Sequence, residues 1–111
     1  MTLKLYDLAA AEDLYLAALT EAEGLGQDQL VAMIEQNLGA MANIRGDLDD
    51  AVRRYEAALR HYDTAGDPLS TAGVLTNLGM AYVDLARWPA AEDCFAARRI
   101  RAADSPFKQL E

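Results

Sequence analysis

This 111-residue chain repeats itself at an offset of 40 positions, and no other feature restricts its fold as much. Asn37-Leu38-Gly39 returns as Asn77-Leu78-Gly79, and Ala32, Ala51 and Ala57 return as Ala72, Ala91 and Ala97. Ile34 and Tyr55 return in kind, as Val74 and Phe95. The offset also runs backwards: Asp7, Leu8, Ala11, Tyr15, Ala17, Ala18, Leu19 and Gly26 match Asp47, Leu48, Ala51, Tyr55, Ala57, Ala58, Leu59 and Gly66. An ordinary helical bundle has no reason to repeat residue identity at one spacing. A unit that cannot bury its apolar side alone, and so stacks on copies of itself, does.

Each unit reads as two helices. Leu30, Ile34, Leu38 and Met41 step by four, four and three, one side of an α-helix. Arg45-Gly46-Asp47 interrupts the pattern, with Gly46 suited to the turn and Asp47 to an N-cap. Leu48, Ala51, Val52, Tyr55, Ala58, Leu59 and Tyr62 form the next stripe. Gly66, Asp67 and Pro68 then supply a left-handed end, a cap and a first-turn proline. Leu75, Leu78, Tyr82 and Leu85, then Trp88, Ala91 and Phe95, continue the pattern, and Pro89 falls in a first turn. Helices are expected near 4–23, 27–44, 48–64, 68–85 and 88–103, with no strand alternation anywhere. The expectation is one all-α domain over 1–111, an α-solenoid of antiparallel hairpins with five helices. Residues 1–26 would be the second helix of an incomplete unit, 27–66 and 67–106 two full units, and 107–111 a tail.

These residues resemble the tetratricopeptide repeat, in a long form of about 40 residues rather than the common 34. That family places a leucine-glycine pair and an aromatic on its first helix, and alanine, aromatic, alanine on its second. Here they are Leu38-Gly39 with Ala51, Tyr55 and Ala58, then Leu78-Gly79 and Tyr82 with Ala91 and Phe95. Two positions depart: Ala42 stands where an aromatic is preferred, and Arg98 replaces the last small residue.

Composition narrows the function. A formal charge of −8 disfavours phosphate backbones and anionic membranes, so neither nucleic acid nor membrane is an expected partner. Arg98, Arg99 and Arg101 cluster at a helix end, where the dipole favours cations. Cys94, the only cysteine, allows no internal disulfide, and Asp7, Glu12 and Asp13 break up the apolar N-terminus, so a cytoplasmic setting is expected. His61, the only histidine, has no neighbouring base or nucleophile in the pattern and reads as a solvated surface residue. Cys94 precedes the packing residue Phe95 and reads as a half-buried thiol. Asp47, Asp49 and Asp50 lack the remainder of a calcium loop and suit a helix N-terminus. Gly24 and Gly26 follow a helix rather than a strand, so they make no phosphate loop. No cofactor, metal site or catalytic group is expected.

The resemblance implies a non-enzymatic protein-interaction module. Its groove would be lined by the first helices: Met33, Gln36, Asn37, Ala40, Asn43 and Ile44, then Gly73, Thr76, Asn77, Met80, Val83 and Asp84. In long-repeat members of the family, asparagines placed like Asn37 and Asn77 hold the backbone of an extended peptide. An amide offers both a donor and an acceptor, as a peptide unit requires. The family's chaperone-tail readers clamp a carboxylate with basic residues. The matching positions here are Gln36, Ala40, Thr76 and Met80, so that ligand is disfavoured. Both asparagines could instead bond within the stack.

A second surface is suggested by comparing units. Leu14 and Leu16 stand where the next unit has Arg54 and Glu56, and Leu3 and Tyr6 add to them. Either this apolar strip supports a homodimer, or it closes over the chain's own second hairpin. The expected partner is therefore a protein or peptide, or a second copy. The alternative is a structural or sensory repeat fragment of a larger regulatory protein, such as a bacterial transcription regulator.

Overall fold

The computed structural model describes the backbone of residues 5–103 and the side chains of 7–101. It contains five helices in chain order: α1 (Leu5–Gly24), α2 (Asp28–Arg45), α3 (Leu48–Ala65), α4 (Pro68–Asp84) and α5 (Trp88–Ala103). The expected limits agree within one residue. Leu3 and the tail 107–111 lie outside the described residues, and so does the side chain of Tyr6.

All four connections share one geometry, set at intervals of 20 residues. Gly26, Gly46, Gly66 and Ala86 take left-handed conformations, with φ of 66°, 83°, 71° and 58°. The next N–H then bonds back over the helix end, from Gln27 to Ala22 O, Asp47 to Ala42 O, Asp67 to Tyr62 O and Arg87 to Tyr82 O, at 2.9–3.2 Å. This pattern satisfies the last carbonyls of each helix and reverses the chain within two or three residues. The following helix starts at once. Asp47 Oδ1 accepts from Asp50 N at 3.1 Å, and Asp67 Oδ1 accepts from Ser70 N at 3.0 Å, so each carboxylate caps a first turn. Such short reversals leave each helix antiparallel to its neighbour in sequence.

Helices two apart run side by side. Gln29 Nε2 of α2 donates to Asp67 Oδ2 at the start of α4, at 2.9 Å. Arg87 lies 3.6 Å from Asp49 and Arg101 lies 3.0 Å from Asp63, joining both ends of α3 to the α5 segment. All three links span 38 residues. They define two layers, α2 with α4 and α3 with α5, and repeat equivalence puts α1 in the second.

The core lies between the layers. Burial along Val31–Ala40 matches burial along Thr71–Met80 position for position. Gly39 and Gly79 make equivalent contacts: a Cβ at Gly39 would fall 2.7 Å from the Tyr55 ring, and one at Gly79 would fall 2.6 Å from Phe95. Glycine therefore lets each second-helix aromatic lie against the first-helix backbone. Covering a side chain as large as Tyr55 stabilises the fold by roughly 2–3 kcal/mol.

Two members of the apolar stripes are displaced from the core. Leu30 is more than a third exposed at the edge of α2, and Trp88 is largely exposed at the start of α5. Conversely, Glu35 is buried and held by Arg54 Nη1, which reaches both carboxylate oxygens at 3.3 Å. The equivalent positions one unit later are Leu75 and Cys94, both buried. One hairpin thus holds a charged pair where the next is apolar.

Candidate recognition surface

On α2, positions 33, 36, 37, 40, 43 and 44 recur every three to four residues, so they share one side of the helix. Met33, Ala40, Asn43 and Ile44 are exposed, and Gln36 and Asn37 half-buried. On α4, Gly73, Met80 and Asp84 are exposed, and Thr76, Asn77 and Val83 half-buried. All twelve expected groove positions are therefore accessible on the α2–α4 layer.

The polar groups on this surface differ in how far they are already engaged. Tyr62 O–H donates to Gln36 Oε1 at 3.2 Å, holding that side chain against α3. The Tyr62 phenol is pushed up from its ordinary value by burial, then by the Asp67 carboxylate, and so stays a donor. Thr76 Oγ1 donates to its own helix at Ala72 O, 3.2 Å away. Asn37 and Asn77 have no hydrogen-bond partner among the described residues. Both keep donor and acceptor capacity at half-buried positions one unit apart.

Residues with chemical potential elsewhere are engaged structurally. His61 keeps about a third of its side chain in solvent, as a surface residue would, but its Nδ1 also lies 2.8 Å from Asp28 Oδ1 and joins the end of α3 to the start of α2. Burial pushes the Cys94 thiol up, and the charges of Asp93 and Glu56 add to the shift, so it is a poor nucleophile near neutrality. Asp47 caps, Asp49 faces Arg87, and Asp50 bonds Arg45 and Arg53 at 3.1 and 2.8 Å. Arg101 pairs with Asp63, while Arg98 and Arg99 are exposed. Among the described residues no helix is long and apolar enough to cross a membrane.

The first helix shows two features. Leu14 is 74% exposed and Leu16 is 39% exposed, so neither is closed over by the second hairpin. Two positions apart, they point to opposite flanks of α1, with Ala10, Asp13 and Ala17 on the ridge between. Beside this ridge lies an open apolar groove of about 350 Å³ between α1 and α2, lined by Tyr15, Ala18, Glu21, Ala22, Leu25, Leu30, Met33 and Ile34. The repeat pattern alone does not disclose this groove, although the offset of 40 holds a signal. Leu25, Leu30 and Met33 are matched one unit later by the smaller or more polar Ala65, Ser70 and Gly73.

Two layers of phased helical hairpins, closed by glycine-aromatic contacts and presenting an accessible first-helix layer, define an α-solenoid repeat protein. The model of the tetratricopeptide repeat family matches residues 30–98, and the chain belongs to that family. Repeats of this family mediate protein–protein interaction and are typically non-enzymatic. The chain matches no curated protein and no solved structure.

Proposed function

We propose that this chain is a non-enzymatic interaction module that holds an extended peptide segment against the α2–α4 layer, with Asn37 and Asn77 bonding the peptide backbone. The observation that carries the reading is the pair of half-buried amides, one unit apart, without partners among the described residues. Met33 and Met80 are exposed beside them and supply flexible apolar contact that adapts to different side chains. Gln36, Ala40, Asn43 and Asp84 complete the surface. With no basic residue among these positions, the surface suits an internal peptide segment better than a free carboxylate.

Selection from a random-peptide phage library on the intact chain tests this reading. Two amide–backbone contacts at about 1 kcal/mol each predict that Asn37→Ala with Asn77→Ala weakens the selected peptides roughly 30-fold. The double variant should keep the wild-type melting temperature. Selected peptides that bind both proteins equally would refute the reading.

A second reading, a homodimer through the outer ridge of α1, is favoured by the exposure of Leu14 and Leu16. Sedimentation equilibrium checks it: the wild type should associate with rising concentration, and Leu14→Lys with Leu16→Lys should abolish this. A monomer at high micromolar concentration ends that reading.

A further inference from the structure

We infer that the peptide held by Asn37 and Asn77 carries two large apolar side chains three residues apart with a basic residue between them, and that Gly73 selects for it. This rests on the peptide reading of the α2–α4 layer and adds the sequence class of the ligand.

Eight residues form two parallel rows on that layer. Met33, Asn37, Ala40 and Ile44 run along α2, and Gly73, Asn77, Met80 and Asp84 run along α4 at the equivalent levels. They point away from the second layer, opposite the buried Val31, Glu35, Leu38 and Ala42 of α2 and the buried Thr71, Leu75 and Leu78 of α4. Their exposure therefore belongs to the two complete hairpins, whatever lies beyond them.

The rows complement each other in size. One turn before the asparagines, Met33 stands level with Gly73. One turn after them, Ala40 stands level with Met80. Met33 and Met80 are 47% and 54% exposed. Each long, adaptable side chain is thus beside a recess on the neighbouring helix. The two recesses lie diagonally, on opposite sides of the amide pair.

The fold itself does not require glycine at position 73. Gly39 and Gly79 lie against aromatic rings, and Gly46 and Gly66 turn the chain. Gly73 does neither. It lies within α4, its φ is not left-handed, and no atom lies within 4 Å of the place its Cβ would take. Glycine inside a helix costs stability relative to alanine. Open space on a binding surface is what that cost obtains.

An extended chain fits the diagonal. Side-by-side helices lie about 10 Å apart, and a strand advances about 3.3 Å per residue, so the asparagines reach peptide units roughly three residues apart. A strand bonded edge-on by both amides turns its side chains along the helix axes, alternately toward each end. Residues three apart then point opposite ways. One seats over Ala40 and the other over Gly73, as the diagonal requires.

The residue next to the one at Gly73 points back toward the C-terminal end of α4. Asp84 is exposed there and is the only charged group among the eight. Lysine or arginine suits that place, and the chain's charge of −8 favours the same sign.

A random decapeptide phage library, selected on the intact chain, is the probe. The selected peptides should share two large apolar residues three apart, with lysine or arginine beside the one that seats at Gly73. Synthetic copies should bind Gly73→Leu at least 10-fold more weakly in fluorescence anisotropy. That variant should melt about 4 °C higher than wild type, because leucine is the better helix former, so the loss is not unfolding. Selection on Gly73→Leu should return a small residue at the matching peptide position. Asp84→Lys should weaken the wild-type peptides at least 5-fold at low salt and reselect aspartate or glutamate at the basic position.

Peptides that need both asparagines but lack the apolar pair, or that bind Gly73→Leu as well as wild type, overturn this inference and leave the peptide reading standing. Peptides indifferent to both asparagines, or no selected peptides at all, overturn the two together.

Discussion

Replacing Gly39 with alanine tests the packing rule that defines the hairpins. The added Cβ would meet two ring carbons of Tyr55 at 2.7 Å and a third at 3.1 Å. Ordinary carbon contacts lie at about 3.5–4.0 Å, so the ring or the helix must move by close to an ångström. Tyr55 is 3% exposed and belongs to the core formed by α2, α3, α4 and α5, which leaves the ring little space. Overpacking of this kind costs about 1–3 kcal/mol, and the helix propensity of alanine returns roughly 1 kcal/mol. With the ring this confined the cost belongs in the upper part of that range, about 2–3 kcal/mol, so the expected net loss is about 1–2 kcal/mol, or roughly 5–10 °C in melting temperature. Gly79→Ala is the control. Its Cβ meets Phe95 at 2.6 Å, but Phe95 is only half-buried on the last described helix and can swing aside. That variant should lie within about 0.5 kcal/mol of wild type. Urea titration of both variants measures the difference. A double-mutant cycle with Tyr55→Leu should return most of the Gly39→Ala loss, because the ring that causes it is gone. If Gly39→Ala proves as stable as wild type, close aromatic contact at this glycine is not what sets the helix spacing.

Three further changes probe the turns and the core. Ala86 holds the left-handed position that glycine holds in the other three connections, so Ala86→Gly should stabilise by about 1 kcal/mol in a chemical melt. Thr71 is 1% exposed, its hydroxyl has no partner among the described residues, and its counterpart is Val31; Thr71→Val should raise stability by about 1 kcal/mol, and a loss would mean that the hydroxyl is satisfied. Asp67→Ala should lose about 1 kcal/mol at pH 7 with the cap. Hydrogen bonds from Ser70 hold the Asp67 carboxyl below its ordinary value, so its contribution is present above the unfolded value of about 3.9 and fades as pH falls through the lower folded one. The stability gap between wild type and Asp67→Ala, followed by thermal melts, should therefore close in acid, and a gap that persists there would contradict the assignment.

The sequence by itself determined the helices and their reversals, because these depend on neighbours within five residues. Gly46, Gly66, Asp47, Asp67 and Pro68 each act on the turn they occupy. The three- and four-residue spacing of Ile34 and Leu38, or of Ala51, Tyr55 and Ala58, defines one side of a helix without reference to any other. The offset of 40 also carried the matching places of Gly39 and Gly79, and the accessibility of the α2–α4 layer. The tertiary structure alone decided what covers each apolar side. Leu30 and Ile34 belong to one stripe, yet Leu30 is at a groove rim and Ile34 is buried, because burial is set by another helix: Ile34 packs with Leu19 and Ala22 of α1. Glu35 would be unfavourable in the core without Arg54, and His61 would have no charged partner without Asp28; both partners come from another helix. Tyr15 and Tyr55 are the same residue in the same repeat position, and only the presence of α2 over one of them makes the first an open groove and the second core.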